Sequence, residues 1–80
     1  MKNKLKIHRA IHQLTQEQLA RKVDVTLTTI NTMEANKHSP SLKLAMRIAI
    51  LFKTPVDEIF IMEDKDYDDQ VKNRKISKLY

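Results

Sequence analysis

The sequence predicts an all-α fold of five short helices, and three observations carry that reading. Apolar residues recur three and four positions apart in successive short stretches. Hydroxyl residues stand where helix starts need caps, and of the chain's two prolines one falls in a loop between helical patterns and the other at the first position of a helix. Eighty residues make one domain, able to bury a small core but near the size at which stability becomes marginal. There is no cysteine, so neither a disulfide framework nor a thiolate metal site can hold the fold, which suits a reducing cytosol.

Met1 to Lys4 is polar and basic, compatible with a free arm or with a short strand laid against a later segment. The first helix is expected from Leu5 to about Gln13, with Leu5, His8 and Ile11 or His12 at helical spacing and His8 at or near the core. His8 and His12 form a lone His-x-x-x-His pair. Without a nearby thiol or carboxylate it makes a thin metal site, so no metal and no cofactor is expected. Thr15 and Gln18 form a capping box that opens the second helix at Gln16, which runs through Val23 with Leu19, Ala20 and Val23 inward. Thr26 caps a third helix from Leu27 to about Glu34. Ile30 and Met33 point inward there, and Leu27, Thr28, Asn31 and Thr32 outward.

The chain has no glycine, so its tight turns must use other residues in the left-handed region. Asp24 and Asn36 are expected there with positive φ, because Asp and Asn tolerate it best. His38 to Ser41 is a loop, and Ser41 caps a fourth helix from Leu42 to Phe52. Leu42, Ala45, Ile48, Ala49 and Phe52 are its expected core face, with Lys43 and Arg47 opposite. Thr54 is the expected cap of a short fifth helix from Pro55 to about Phe60, with Asp57 completing a capping box. Val56, Ile59 and Phe60 would close the core.

The net charge of +5 lies wholly in residues 1–62, which hold ten Lys/Arg against five Asp/Glu; residues 63–80 hold five of each. The chain therefore divides into a basic domain, 1–62, and a charged tail, 63–80. The tail's acidic and basic blocks are typical of solvated or disordered segments, though Ile76, Leu79 and Tyr80 are candidates for a docking segment. A basic domain suits a polyanion such as nucleic acid, since neutralising phosphates releases counterions. No stretch is long and apolar enough to enter a membrane. No nucleophile-base-acid set appears either, so an enzyme is not expected.

Two helices joined by a tight turn, with the second exposing a polar face, match the helix-turn-helix description. The motifs LTQEQLA, KVDVT, TINTME and NKHSPSL, in that order over roughly Leu5 to Phe60, resemble the Cro/repressor-type helix-turn-helix (XRE) family, including small Gram-positive regulators such as the cytolysin repressor. The resemblance implies a five-helix lambda-repressor-like domain. It places Leu27, Thr28 and Thr32 at DNA bases, and Gln16, Thr26, Thr29, Asn36, Lys37 and Lys43 at phosphates; Asn31 joins the base-reading set because it shares the exposed face of the same helix. It also implies an ion pair between Arg9 and Glu34. His8 departs from the family's usual Leu or Ile, and Leu27 and Thr28 from its usual Arg or Gln. That reading face is expected to favour A·T pairs through methyl contacts.

The function expected is that of a sequence-specific double-stranded DNA-binding regulator, a cytoplasmic homodimeric repressor on an inverted repeat. Ile59, Phe60, Ile61 and Met62 exceed what one helix face can bury, so they are the expected dimer contact, preferred over a strand pairing with the N-terminal arm. The alternative is an antitoxin or protein-interaction module whose tail holds a protein partner.

Overall fold

The computed structural model describes residues 1–67. Five helices follow one another: α1 (Leu5–Ile11), α2 (Gln16–Lys22), α3 (Leu27–Glu34), α4 (Leu42–Phe52) and α5 (Val56–Ile59). A two-residue strand precedes them, β1 (Lys2–Asn3), and another follows, β2 (Phe60–Ile61). The strands pair antiparallel, Lys2 with Ile61 and Asn3 with Phe60. The N-terminal arm is thus a strand. A 3-10 turn at Asp64–Asp66 then brings Glu63 and Asp66 back to the Met1 ammonium, at 3.2 and 2.9 Å. The expected docking residues Ile76, Leu79 and Tyr80, and most of the tail, lie outside the described residues.

The helix starts follow from local chemistry. Thr15 Oγ1 accepts from Gln18 N and Gln18 Oε1 from Thr15 N, a complete capping box. Thr26 and Ser41 cap α3 and α4 by accepting from Thr29 N and Leu44 N. The helix ends share one device. Asp24 and Asn36 have φ of 61° and 60° as expected, but so do Gln13 (56°) and Lys53 (52°). In each case the following N–H reaches back five residues: Leu14 to Arg9 O, Val25 to Ala20 O, Lys37 to Thr32 O and Thr54 to Ala49 O. That is the Schellman closure, which ordinarily uses glycine.

Leu5, Leu19, Ile30, Met33, Ile48 and Ile59 are fully buried, joined by Ala20, Val23, Leu44, Ala45, Phe52 and Phe60. Burying each large member stabilises the fold by about 1.5–3 kcal/mol. Several expectations need correction. Leu42 is exposed and Leu44 takes the core position, because α4 starts with its first residue turned to solvent. Ile11 and Val56 are also exposed. Arg47 does not simply face away from the core: its Nη1 donates to Val23 O at 3.3 Å and so caps the end of α2. Helix α1 stops at Ile11, where Gln13 turns left-handed. Pro55, not Thr54, is the cap residue of α5, and no side chain caps that helix. Thr54 Oγ1 instead donates to Phe52 O.

Ile59 and Phe60 are buried inside this chain, so of the residues expected at a dimer contact only Ile61 and Met62 reach the surface. His8 and His12 lie over the Phe52 ring, with centroids 5.4 and 4.9 Å away, and cover the end of α4.

Candidate nucleic-acid interface

α2 and α3 pack together across the turn at Asp24, and α3 is held so that Leu27, Thr28 and Asn31 face outward while Ile30 and Met33 anchor it. Thr32 sits at the edge, half-buried. Its hydroxyl donates back to Thr28 O and Thr29 O at 3.0 and 3.1 Å, so its proton is used within the helix. The methyl and the oxygen lone pairs are what it can offer outward.

A connected network sets the orientation of this face. Arg9 Nε and Nη2 donate to the two oxygens of Glu34 at 2.8 and 3.2 Å, a bidentate pair in which the Glu34 side chain is only 7% exposed. Glu34 holds the Arg9 guanidinium above its ordinary pKa. Arg9 Nη1 also donates to Leu14 O, tying down the loop between α1 and α2. Gln16 Nε2 donates to Glu34 Oε1 at 3.2 Å, and Gln16 Oε1 accepts from Asn31 Nδ2 at 3.3 Å. The chain of bonds runs from α1 through the end of α3 and the start of α2 to the middle of the outward face. Asn31 therefore turns its Oδ1, an acceptor, away from Gln16. Adenine N6 and cytosine N4 are the major-groove donors such an acceptor can read.

The residues expected at phosphates divide by what the structure leaves free. Thr26 and Thr29 hydroxyls are 2.9 Å apart, so one donates to the other and one proton remains for an outside acceptor. Asn36 Oδ1 accepts from Asn3 Nδ2 at 3.0 Å, which leaves the Asn36 amide N–H groups for donation. Lys37 and Lys43 are exposed. Gln16 is already bonded at both ends of its amide, so it orients Asn31 and Glu34 more than it reaches outward.

Two positioning residues were not anticipated. Asn3 Nδ2 donates to Met33 O at 2.6 Å as well as to Asn36, and Asn3 Oδ1 accepts from Leu5 N. One side chain thus joins the arm, the start of α1 and the end of α3. Its bond two residues on was legible as an Asx-type turn, but the contact to Met33 is tertiary. Arg47, holding the end of α2, is the other.

Among the described residues no group of three or more His, Asp or Glu is placed to hold a metal ion, and no helix is long and apolar enough to cross a membrane. The architecture defines a helix-turn-helix domain whose third helix is its presented surface.

Comparison with known proteins extends this. A family model described as helix-turn-helix matches residues 5–59. An uncharacterised HTH-type transcriptional regulator of Methanocaldococcus jannaschii is 53% identical over 66 residues, which cover 82% of this chain and all of the relative. Another from Archaeoglobus fulgidus is 41% identical, covering 82% of this chain and 93% of that protein. The Bacillus subtilis regulator YgzD is 36% identical, covering 82% of this chain and 100% of its own. The chain belongs to the XRE-type helix-turn-helix family, which is a family of DNA-binding transcription regulators and not of enzymes.

Proposed function

We propose that this protein is a sequence-specific repressor that binds an inverted-repeat operator as a homodimer in the cytoplasm and acts by occluding a promoter. The observation that carries the reading is the outward face of α3. Leu27, Thr28, Asn31 and Thr32 are presented together, with Asn31 oriented by the Gln16–Glu34–Arg9 network. Around it, Thr26, Thr29, Asn36, Lys37 and Lys43 supply donors and charge for the backbone, which fixes register rather than sequence. An eight-residue helix reaches few base pairs, so two copies about one DNA turn apart, roughly 34–36 Å, suit a two-fold operator. Residues 1–62 are the DNA-binding domain and 63–80 an appended charged tail.

Leu27 cannot hydrogen-bond, and no Arg or Lys stands on the reading face. Each bidentate contact forgone removes about 1–3 kcal/mol of discrimination, so thymine methyl contacts and DNA shape carry more of the specificity. The same absence favours a second reading, an antitoxin or protein-contact module that holds a protein partner through the tail.

Selection on a random duplex pool, followed by salt titration of the winners, tests both. An enriched inverted repeat with a steep negative salt slope is the expected result. No duplex binding at low salt overturns the repressor reading in favour of the protein-contact module.

A further inference from the structure

We propose that a second copy of this chain docks on the outward side of α4 and the groove between α4 and α5, the α4 ridge of each copy in the groove of the other about a two-fold axis. The proposal rests on the dimeric reading above and assigns the surface that makes the dimer.

Leu42, Met46 and Ile50 stand at i, i+4 and i+8 on α4, one stripe of the helix, and are 78, 54 and 75% exposed. Beside Leu42, Val56 and Met62, each 42% exposed, wall a groove of about 410 Å³ floored by Ala45 and Phe60. At those exposures the five walls and ridge residues leave roughly 500 Å² of apolar surface open, against about 300–600 Å² for the largest patch on ordinary monomers. It is more than half of the about 800 Å² that each partner brings to a stable interface.

Shape selects a second copy as occupant. An isologous contact needs a ridge and a hollow side by side on the same surface, so that each copy fills the other. The α4 stripe is the ridge and the Leu42–Val56–Met62 groove the hollow. Charge agrees, because the core of a homodimer interface is depleted of charged residues. Asp57 has the one charged side chain lining the groove and lies exposed in the first turn of α5, where helix N–H groups favour a carboxylate; Met1, which also lines it, has its ammonium paired with Glu63 and Asp66. The other exposed apolar pair, Ile7 and Ile11 on α1, is a ridge flanked by Lys4 and Lys6.

Light scattering on the full chain gives the test. The wild type is expected to be a dimer, and Leu42→Glu/Met46→Glu to weaken association by about a hundredfold while keeping its helical circular dichroism. Ile7→Glu/Ile11→Glu is expected to remain a dimer, as is a chain lacking residues 68–80. Because the chain has no cysteine, a mixture of Met46→Cys and Met62→Cys chains gives a second readout in folded protein: oxidation should join the ridge of one copy to the groove of the other, and a mixture of Ile11→Cys and Met62→Cys chains should not cross-link. A wild-type dimer untouched by Leu42→Glu/Met46→Glu, with no cross-link between Met46→Cys and Met62→Cys chains, would overturn this surface and leave the dimeric reading intact. A chain that stays monomeric with and without residues 68–80 removes both. A full chain that is monomeric and dimerises only once residues 68–80 are deleted would make that segment the occupant instead.

Discussion

Glu34 accepts three side-chain hydrogen bonds, two from Arg9 and one from Gln16, in a nearly buried site. Removing Arg9 strips a largely buried carboxylate of its counter-charge and frees the Leu14 carbonyl as well. Exposed pairs are worth about 0–1 kcal/mol and broken buried ones about 3–5. Arg9→Met at this half-buried pair is therefore expected to cost about 2 kcal/mol, a fall of roughly 10 °C in Tm by calorimetry. A loss under 2 °C would mean that the pair is no stronger than a surface bridge. A second consequence concerns the two threonines of the reading face. Thr32 spends its proton on Thr28 O and Thr29 O, so Thr32→Val keeps the group it presents, whereas no such bond ties the Thr28 hydroxyl. Thr32→Val should leave the selected operator unchanged and Thr28→Val should alter it; the reverse pattern would invert their assigned roles. The Arg9–Glu34 pairing came into view through family resemblance, since the two are 25 residues apart and no periodicity joins them. The Gln16–Asn31 link and the Asn3 bonds to α3 were not legible at all. Each depends on where two helices come to rest, which local pattern does not determine.

At the scale of elements, starts were legible and ends were not. Thr15, Thr26 and Ser41 announce their helices because a cap acts on N–H groups two or three residues away. Asp24 and Asn36 could be placed in the left-handed region by residue type, but Gln13 and Lys53 carry no such signal, and they adopt it because the chain must reverse there. The core face of α4 was misassigned for a related reason. Apart from Lys43 and Arg47 that helix is apolar all round, so periodicity cannot choose between Leu42 and Leu44. Four Schellman closures without a glycine have an energetic corollary. A left-handed residue other than Gly, Asn or Asp costs about 1–2 kcal/mol, offset in part by the extra unfolded-state entropy that glycine brings. Lys53→Gly and Gln13→Gly are each expected to stabilise by about 1 kcal/mol, roughly 4–8 °C in Tm. Asp24→Gly should gain less, and Asn36→Gly should gain nothing because it loses the bond from Asn3. Equal gains at all four sites in thermal unfolding would show that residue type does not matter in these turns.

Across the whole molecule, the two ends of the described chain meet. The Met1 ammonium is held above its ordinary pKa of 8.0, first by its hydrogen bond to Asp66, while the Asp66 carboxylate is held below its ordinary 3.8, first by the Glu63 N–H. The amine, raised in the folded state, contributes fully below 8.0 and loses that contribution as pH rises through its folded value. The carboxylate, depressed, contributes above 3.8 and loses it as pH falls through its folded value. The clasp should thus be closed between those limits and open on either side. The Glu63 amide resonance is the probe, and a position that does not move at either extreme would count against the clasp. Charge also organises the larger surface, since residues 1–62 carry the whole net excess of +5. If α3 reads bases while Lys37 meets a phosphate, the two kinds of contact must separate in a salt titration. Lys37→Ala removes one neutralised phosphate, so it should weaken binding to every duplex alike and reduce the slope of log affinity against log salt by about one. Thr28→Ala removes no charge, so the slope should stay and the preferred sequence should shift. A Lys37→Ala variant that kept its slope and changed only its preference would place Lys37 at the base edges, and would require α3 to enter the groove by a different end.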